Sequence, residues 1–134
     1  MMAIQVAAAL IDNGAGRILL VRKAETTSFM LPGGKIEQSE TALDALAREL
    51  EEEIGLLPPV AAVPLGRFEA EAANEPGHTV AAALFHITRP FTPRPAAEIA
   101  EARWVDMRQA ERLPLAPLVR THVLPLFDRL GLTS

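Results

Sequence analysis

The stretch PGGKIEQSETALDALARELEEEIGL, residues 32–56, decides the fold of this chain. It opens on two adjacent glycines, and its end crowds Glu49, Glu51, Glu52 and Glu53 beside one arginine. Like charges one helical turn apart destabilise a helix by about 0.2–0.5 kcal/mol per pair. We therefore expect a positively charged partner to neutralise this cluster.

The second half of the stretch has the apolar period of an α-helix, which we predict over about 42–54. Thr41 and Asp44 have the spacing of a capping box, and Gly55 stands where a helix often ends on a glycine. The predicted buried stripe consists of Leu43, Leu46, Ala47, Leu50 and Ile54.

Three of the glutamates share one side of this helix. At 100° per residue, Glu49 and Glu53 lie about 40° apart around the axis and roughly 6 Å apart along it, with Glu52 on their other flank. Glu51 points elsewhere. The shared side adjoins the apolar stripe, and its carboxylates suit a hard cation such as Mg²⁺ or Mn²⁺. A solvated acidic helix face is the alternative.

Two neighbouring features favour the metal site. Arg48 is placed to hold one carboxylate as a bidentate partner. Gly33 and Gly34 leave the backbone open where a ligand could approach closely.

Strand patterns occupy most of the remaining chain. Segments 4–11 and 17–22 flank the turn DNGAG and predict a β-hairpin. A short extended piece at 29–31 precedes an irregular loop that begins at Pro32. Further strands are predicted at about 63–70, 79–88 and 102–106, with a proline-rich loop between the last two.

The C-terminal stretch APLVRTHVLPLFDRL predicts an amphipathic helix, bent or broken near Pro125. The order β-β-β-α-β-β-β-α indicates an α/β (α+β) protein with a mixed sheet and helices packed on its faces. His78, His86 and His122 are scattered and are predicted to be structural. Core packing is the preferred interpretation for the aromatic residues Phe29, Phe68, Phe85 and Trp104.

The composition limits the classes of function. At 134 residues the chain predicts a single domain, 1–134. A net charge of −4 argues against stable nucleic-acid binding. There is no cysteine, which excludes thiolate chemistry. No apolar run is long enough to span a bilayer, so we expect a cytoplasmic protein. The sequence leaves a homodimer open.

The fixed residues of the opening stretch form a recognisable motif. Gly34 is followed after five residues by Glu40, and after seven more by Arg48-Glu49-Leu50, one residue, Glu52-Glu53, one residue and Gly55-Leu56. This resembles the Nudix box, G-x5-E-x7-REUxEExGU with U a bulky aliphatic residue. Every defined position matches, and the chain resembles small MutT-like members of the family.

The resemblance implies an α/β/α sandwich and a hydrolase that cuts phosphoanhydride bonds. It assigns Glu49, Glu52 and Glu53 as ligands of Mg²⁺ or Mn²⁺, and Arg48 as the residue that orients them. Glu40 would support the loop or the outer metal shell.

Family members differ in their general base. Some use a box glutamate and others a later acid, here Glu98, with Glu101 as the second choice. Lys35 and Arg22 are candidates to contact the substrate phosphates, together with the backbone of Gly33 and Gly34.

The substrate is less determined. The chain has no tyrosine, unlike dinucleoside-polyphosphate hydrolases of this family. We expect a (deoxy)nucleoside triphosphate to be cut to monophosphate and pyrophosphate, although Pro117 stands where MutT-like enzymes carry a base-reading asparagine. The alternatives are hydrolysis of another diphosphate (a nucleotide sugar, ADP-ribose or an isoprenoid diphosphate) and a nucleotide sensor without catalysis.

Overall fold

The computed structural model describes residues 3–134, which form one seven-stranded mixed sheet with helices on both faces. The strands are β1 (Ala3–Asp12), β2 (Ile18–Lys23), β3 (Phe29–Met30), β4 (Gly33–Lys35), β5 (Val63–Glu71), β6 (Thr79–Thr88) and β7 (Ile99–Val105). The helices are α1 (Ala42–Ile54), α2 (Met107–Glu111) and α3 (Leu124–Arg129), and a π-helical turn at Val119–Val123 leads directly into α3. This confirms the predicted α/β class and the sandwich of a mixed sheet between helices.

Strand β1 is central in the sheet. It pairs along its whole length with β6 in parallel, and β5 adds to the far side of β6 as an antiparallel edge strand. On its other side β1 pairs with β4 through Val6–Ala8 and with β2 only at Asp12 and Ile18. Strand β2 in turn forms antiparallel pairs with β7 and β3.

Alternation along β1 and β2 divides the core into two layers. Leu10 and Leu20 face one layer, where they pack with Phe127 and the other residues of the C-terminal helices. Ile11 and Leu19 face the opposite layer, which contains Leu46, Leu50 and Ile54 of α1. The sheet therefore separates α1 from the C-terminal helices.

Helix α1 occupies the predicted range and has the predicted ends. The Thr41 side chain accepts a hydrogen bond from Asp44 N–H, Asp44 bonds back to Thr41 N–H, and Gly55 has a left-handed φ of 72°. One part of the predicted buried stripe is wrong: Leu43 is 50% exposed, and Ala45 is buried instead.

Two other predictions need correction. The segment after Pro32 is not a loop, because Gly33–Lys35 form β4 and pair with β1. The hairpin of β1 and β2 is antiparallel as predicted but has a single residue pair, because β1 pairs with β6 along one edge and with β4 along part of the other.

The C-terminal third also differs in detail. β7 begins at Ile99, three residues before the predicted start, and the short helix α2 was not predicted. The C-terminal segment, predicted to be a helix bent or broken near Pro125, is helical on both sides of that proline and contains a π-helical turn just before it. Within residues 3–134, no helix has the length and apolarity required to cross a bilayer.

Candidate active site

A cavity of about 410 Å³ opens beside β1 on the sheet face that carries the C-terminal helices. It follows β1 from Ala8 to Ile4, a distance of roughly 13 Å at the rise of a β-strand. Its walls are aliphatic, with Val80 from β6 and Leu118 and Val119 from the C-terminal segment. Charged side chains lie at both ends of the cavity. Lys23, Glu49 and Glu98 lie at the Ala8 end, which we call the ionic end, and Glu71 and Glu75 lie toward Ile4.

The glycine pair of β4 forms part of the ionic end. Gly33 has φ 149°, and a Cβ there would overlap the carbonyl oxygen of Ala7 on β1. A Cβ on Gly34 would overlap the carboxylate of Glu49 instead. The first glycine therefore permits close strand pairing, and the second leaves room for an acidic side chain of α1.

Glu53 has the most unusual environment of the glutamates. It is 2% exposed, and its carboxylate accepts a hydrogen bond from Gly33 N–H at 3.1 Å. Burial raises the pKa of Glu53 to about 8, with a further contribution from the nearby negative charges of Glu49 and Glu98. A buried carboxylate with so few donors is a strong site for a cation.

Arg48 links two other box residues. Its Nε and Nη2 donate to the two carboxylate oxygens of Glu40 at 2.8 and 2.9 Å, while Nη1 donates to Glu49 at 2.8 Å. The bidentate bond from Arg48 lowers the pKa of Glu40 to about 2. Burial raises the pKa of Glu49, although Arg48 opposes this shift. Arg48 therefore fixes Glu49 at the cavity and engages both oxygens of Glu40.

The remaining two glutamates of the run are exposed. The side chain of Glu52 is 54% exposed and lies 4.0 Å from Arg48, and Glu51 faces solvent as the helix periodicity predicts. No three acidic, histidine or cysteine side chains converge into a metal-binding cluster anywhere in residues 3–134. Glu49 and Glu53 are thus close enough for their charges to interact, while Glu52 is exposed but lies near the same Arg48 nitrogen as Glu49.

Two ion pairs lie around the cavity. Lys23 Nζ is 3.4 Å from Glu98, and Lys35 Nζ is 3.8 Å from Glu75 in the loop between β5 and β6. All four residues line the cavity. The predicted base Glu98 and the predicted phosphate contact Lys35 are therefore at the same cavity as Glu49.

Arg22 and Glu101, by contrast, are not among the residues that line this cavity. Arg22 Nε donates to Glu101 at 3.3 Å, and Arg22 Nη1 donates to the carbonyl of Thr26. Hydrogen bonds from Arg103 and Arg22 lower the pKa of Glu101. Both side chains belong to a hydrogen-bond network across β2 and β7, and a phosphate contact by Arg22 stays a prediction.

The histidines have local partners. His86 lies 2.6 Å from the buried Asp12, which also accepts bonds from Thr88 and Gly14. Burial alone would raise the pKa of Asp12, but these hydrogen bonds outweigh it and lower that pKa. The rings of His78 and His122 bond to backbone carbonyls.

The aromatic residues that could have stacked a base lie in or against the two core layers, namely Phe29, Phe68, Phe85 and Trp104. Among the described residues, none of the cavity lining is aromatic.

Sequence reasoning did not select several residues of the cavity, and Lys23 and Asn74 are two of them. Lys23 follows Arg22 directly, but the register with β7 shifts between them, so strand alternation alone does not predict which of the two side chains reaches the cavity. Asn74 lies in the loop between β5 and β6, where no motif singles it out.

Comparisons with known proteins agree on one family. The model of the NUDIX domain matches residues 2–127. The 8-oxo-dGTP diphosphatase of Haemophilus influenzae is 48% identical over 58 residues, which are 40% of this chain and 43% of that protein. The RNA pyrophosphohydrolase of Halorhodospira halophila is 44% identical over 54 residues, 40% of this chain and 30% of that protein. The matched stretch thus spans less than half of either relative.

A solved structure resembles the chain over nearly its full length. The E. coli ORF135 protein is 30% identical with a TM-score of 0.75, and the match covers 98% of this chain and 92% of that one.

Proposed function

This chain belongs to the NUDIX domain family, and we propose that it is a metal-dependent pyrophosphohydrolase. Its substrate would be a nucleoside diphosphate linked to another group, most simply a (deoxy)nucleoside triphosphate. Water would attack phosphorus and release a monophosphate and pyrophosphate. A cytoplasmic location and the oligomeric state stay predictions.

The observation that carries the proposal is the buried carboxylate of Glu53, which does not itself line the cavity but bonds to Gly33 in the lining and lies beside the lining residue Glu49. Two acidic groups so close together and so poorly solvated repel each other unless a cation lies between or beside them. Relatives named as a diphosphatase and a pyrophosphohydrolase support the same reaction class.

The donor set fits a hard divalent cation, since Glu49 and Glu53 offer oxygen ligands at a partly dehydrated position. We propose these two as ligands of Mg²⁺ or Mn²⁺. Glu52 remains a proposed third ligand, and its exposed position means that its side chain has to turn toward the site. Glu40, which is engaged by Arg48, would act as an outer support. The cation would supply Lewis acidity and lower the pKa of bound water.

The other residues of the cavity would position the substrate. Lys23 and Lys35 would contact phosphate oxygens, since both ammonium groups lie at the cavity and are paired only with exposed carboxylates. We propose Glu98 as the general base, because it lines the cavity near Glu49 and Glu53. A box glutamate remains the alternative base.

The size of the cavity favours a mononucleotide-like substrate. At about 410 Å³ it lies near the lower end of the usual range for ligand pockets. Pro117 is flanked by Ala116 and Leu118, both in the lining, so this wall offers no polar side chain to read 8-oxoguanine. A nucleotide sugar, ADP-ribose or an isoprenoid diphosphate is the second choice.

The test is a panel of nucleoside triphosphates, nucleotide sugars, ADP-ribose and dinucleoside polyphosphates with Mg²⁺, Mn²⁺ or EDTA, with products identified chromatographically. We expect pyrophosphate and a monophosphate from at least one triphosphate, and no turnover in EDTA. Glu53→Gln should lower kcat by at least about 100-fold, because it removes the charged metal ligand.

Glu51→Gln is the matched control, since it makes the same change two residues earlier, on the exposed side of α1. It should retain the wild-type rate. Equal rates for Glu53→Gln and wild type would contradict the metal site. Nucleotide binding without turnover of any compound would instead support the sensor alternative.

A further inference from the structure

Lys23, the last residue of β2, forms an ion pair with Glu98 at the ionic end of the cavity. The pairing of β2 with β7 changes register between Arg22 and Lys23, and an irregularity of this kind can turn a side chain toward a site. Just beyond it, Ala24 N–H donates to the carbonyl of Glu98 at 2.8 Å. The Lys23 ammonium lies 3.4 Å from the Glu98 carboxylate, and both side chains line the cavity.

The loop that carries Glu98 is also bonded to the end of α1. Arg94 N–H donates to the carbonyl of Ile54 at 3.0 Å. Ala96 N–H donates to the carbonyl of Glu53, again at 3.0 Å. Because Glu98 follows two residues after Ala96, backbone bonds to both α1 and β2 determine its position. The ion pair is therefore held beside the last turn of α1, where the buried glutamate lies.

Lys23 is a cation among three carboxylates, those of Glu49, Glu53 and Glu98. Burial raises the pKa of Glu53, the charge of Glu49 adds to this rise, and the charge of Lys23 opposes it. The charge of Glu98 contributes to the raised pKa of both other glutamates. The three carboxylates are thus close enough to repel one another, and the lysine partly neutralises them.

Lys23 can exchange its partner more easily than Arg48, the other cation beside these carboxylates. Arg48 donates to both oxygens of Glu40 and to Glu49, so its departure would break three hydrogen bonds. Among the residues that the structure describes, Glu98 is the only ion-pair partner of Lys23, and the two side chains are 37% and 59% exposed. So exposed a pair is weak. The flexible lysine side chain can therefore offer its ammonium group to a phosphate oxygen instead.

Resting on the function proposed above, we propose that Lys23 is the counter-cation of the metal-free site and competes with the divalent ion for the three carboxylates. Lysine and metal bring like charges to the same place, so each weakens the binding of the other. The phosphates of a nucleotide would draw the ammonium group away from Glu98 and leave the carboxylates to the metal. Lys23 thereby couples the binding of metal to the binding of nucleotide, and the coupling acts equally in both directions.

The test measures Mn²⁺ affinity at pH 8 from the loss of the electron paramagnetic resonance signal of the free ion. Without nucleotide, Lys23→Met should bind Mn²⁺ about twofold to fivefold more tightly than wild type, the range expected for one exposed ion pair. Lys23→Arg keeps the charge and should bind like wild type. Lys35→Met is the matched control, because it removes the same charge from the ion pair with Glu75 and should also bind like wild type.

A second titration contains the α,β-methylene analogue of ATP, in which the bond proposed to be cut is blocked. The Mn²⁺ bound by the analogue alone is measured without protein and subtracted. With the analogue at saturation, the tighter binding by Lys23→Met should disappear, because the wild-type lysine has then moved to the phosphates. A difference that persists would overturn the coupling.

Each remaining result has a definite meaning. Equal Mn²⁺ affinity of Lys23→Met and wild type without nucleotide, or an equal gain in Lys35→Met, would overturn the role of Lys23 and leave the metal site intact. Failure of every chain to bind Mn²⁺ in either titration would contradict the metal site, and this inference would fail with it. Failure of the wild-type chain to bind the analogue would contradict the triphosphatase proposal and the movement of Lys23 to phosphate.

Discussion

The carboxylate of Glu53 is buried against the backbone of Gly33, next to the cavity lining, and this position should make the protein less stable at higher pH. Its pKa is about 8 in the folded protein, against an ordinary value of 4.5. Because the folded state holds the proton more tightly, the free energy of unfolding falls as pH rises from about 4.5 to about 8. The cost of ionising Glu53 is fully present above that range.

Glu53→Gln should therefore stabilise the metal-free protein by roughly 2–4 kcal/mol at pH 8–9 and change little at pH 5. The amide oxygen of the glutamine can still accept the Gly33 N–H bond. Urea unfolding in EDTA at both pH values would measure the difference. The exposed Glu51→Gln should stay within about 0.5 kcal/mol at each pH, and a pH-independent gain in Glu53→Gln would contradict the assignment.

Strand β4 contacts both β1 and α1, and its two glycines have different neighbours. Gly33→Ala places a methyl group against the Ala7 backbone at φ 149°, so we expect a loss of at least about 2–3 kcal/mol in stability. Gly34→Ala meets only the flexible end of Glu49. It should preserve most of the stability but lower kcat about 100-fold by displacing that carboxylate.

Thermal unfolding and steady-state kinetics on both variants separate the two effects. Wild-type activity in Gly34→Ala would show that the position of Glu49 does not matter for the reaction. A stable Gly33→Ala protein would show that β4 can move away from β1.

The same region shows what the sequence could and could not predict. Local signals were sufficient for α1, because the capping box of Thr41, the terminal Gly55 and the apolar period all act within a few residues. They failed for Gly33–Lys35, where two glycines predict irregular backbone but the pairing with β1 imposes a strand.

The site was predictable to a similar degree. The motif selects Glu49, Glu52 and Glu53 together, and their role as ligands stays a prediction, whereas the burial of Glu53 and the exposure of Glu52 depend on packing that periodicity does not determine. Lys23, Glu98 and Asn74 come from three distant segments, so their common location depends on the sheet order.

The cavity is assembled from β1, β4, α1, the loop between β5 and β6, and the C-terminal segment. A cation bound by Glu49 and Glu53, both on α1, would bind the folded protein in preference to the unfolded chain and so stabilise the native state as a whole. At 100 times its dissociation constant, such an ion adds about 2.7 kcal/mol. In a chain of 134 residues this corresponds to a melting temperature roughly 8–12 °C higher.

Thermal unfolding at pH 8, in EDTA and then with increasing Mn²⁺ or Mg²⁺, measures this coupling without any substrate. We expect the rise for wild type and for Glu51→Gln, and little or none for Glu53→Gln, which lacks the buried charge that the ion neutralises. Ca²⁺ provides a comparison of ion size, since it prefers more ligands at longer distances. An equal rise in Glu53→Gln would show that the cation does not bind at Glu53. The absence of any rise in wild type would mean that the ion binds only together with the phosphates of the substrate.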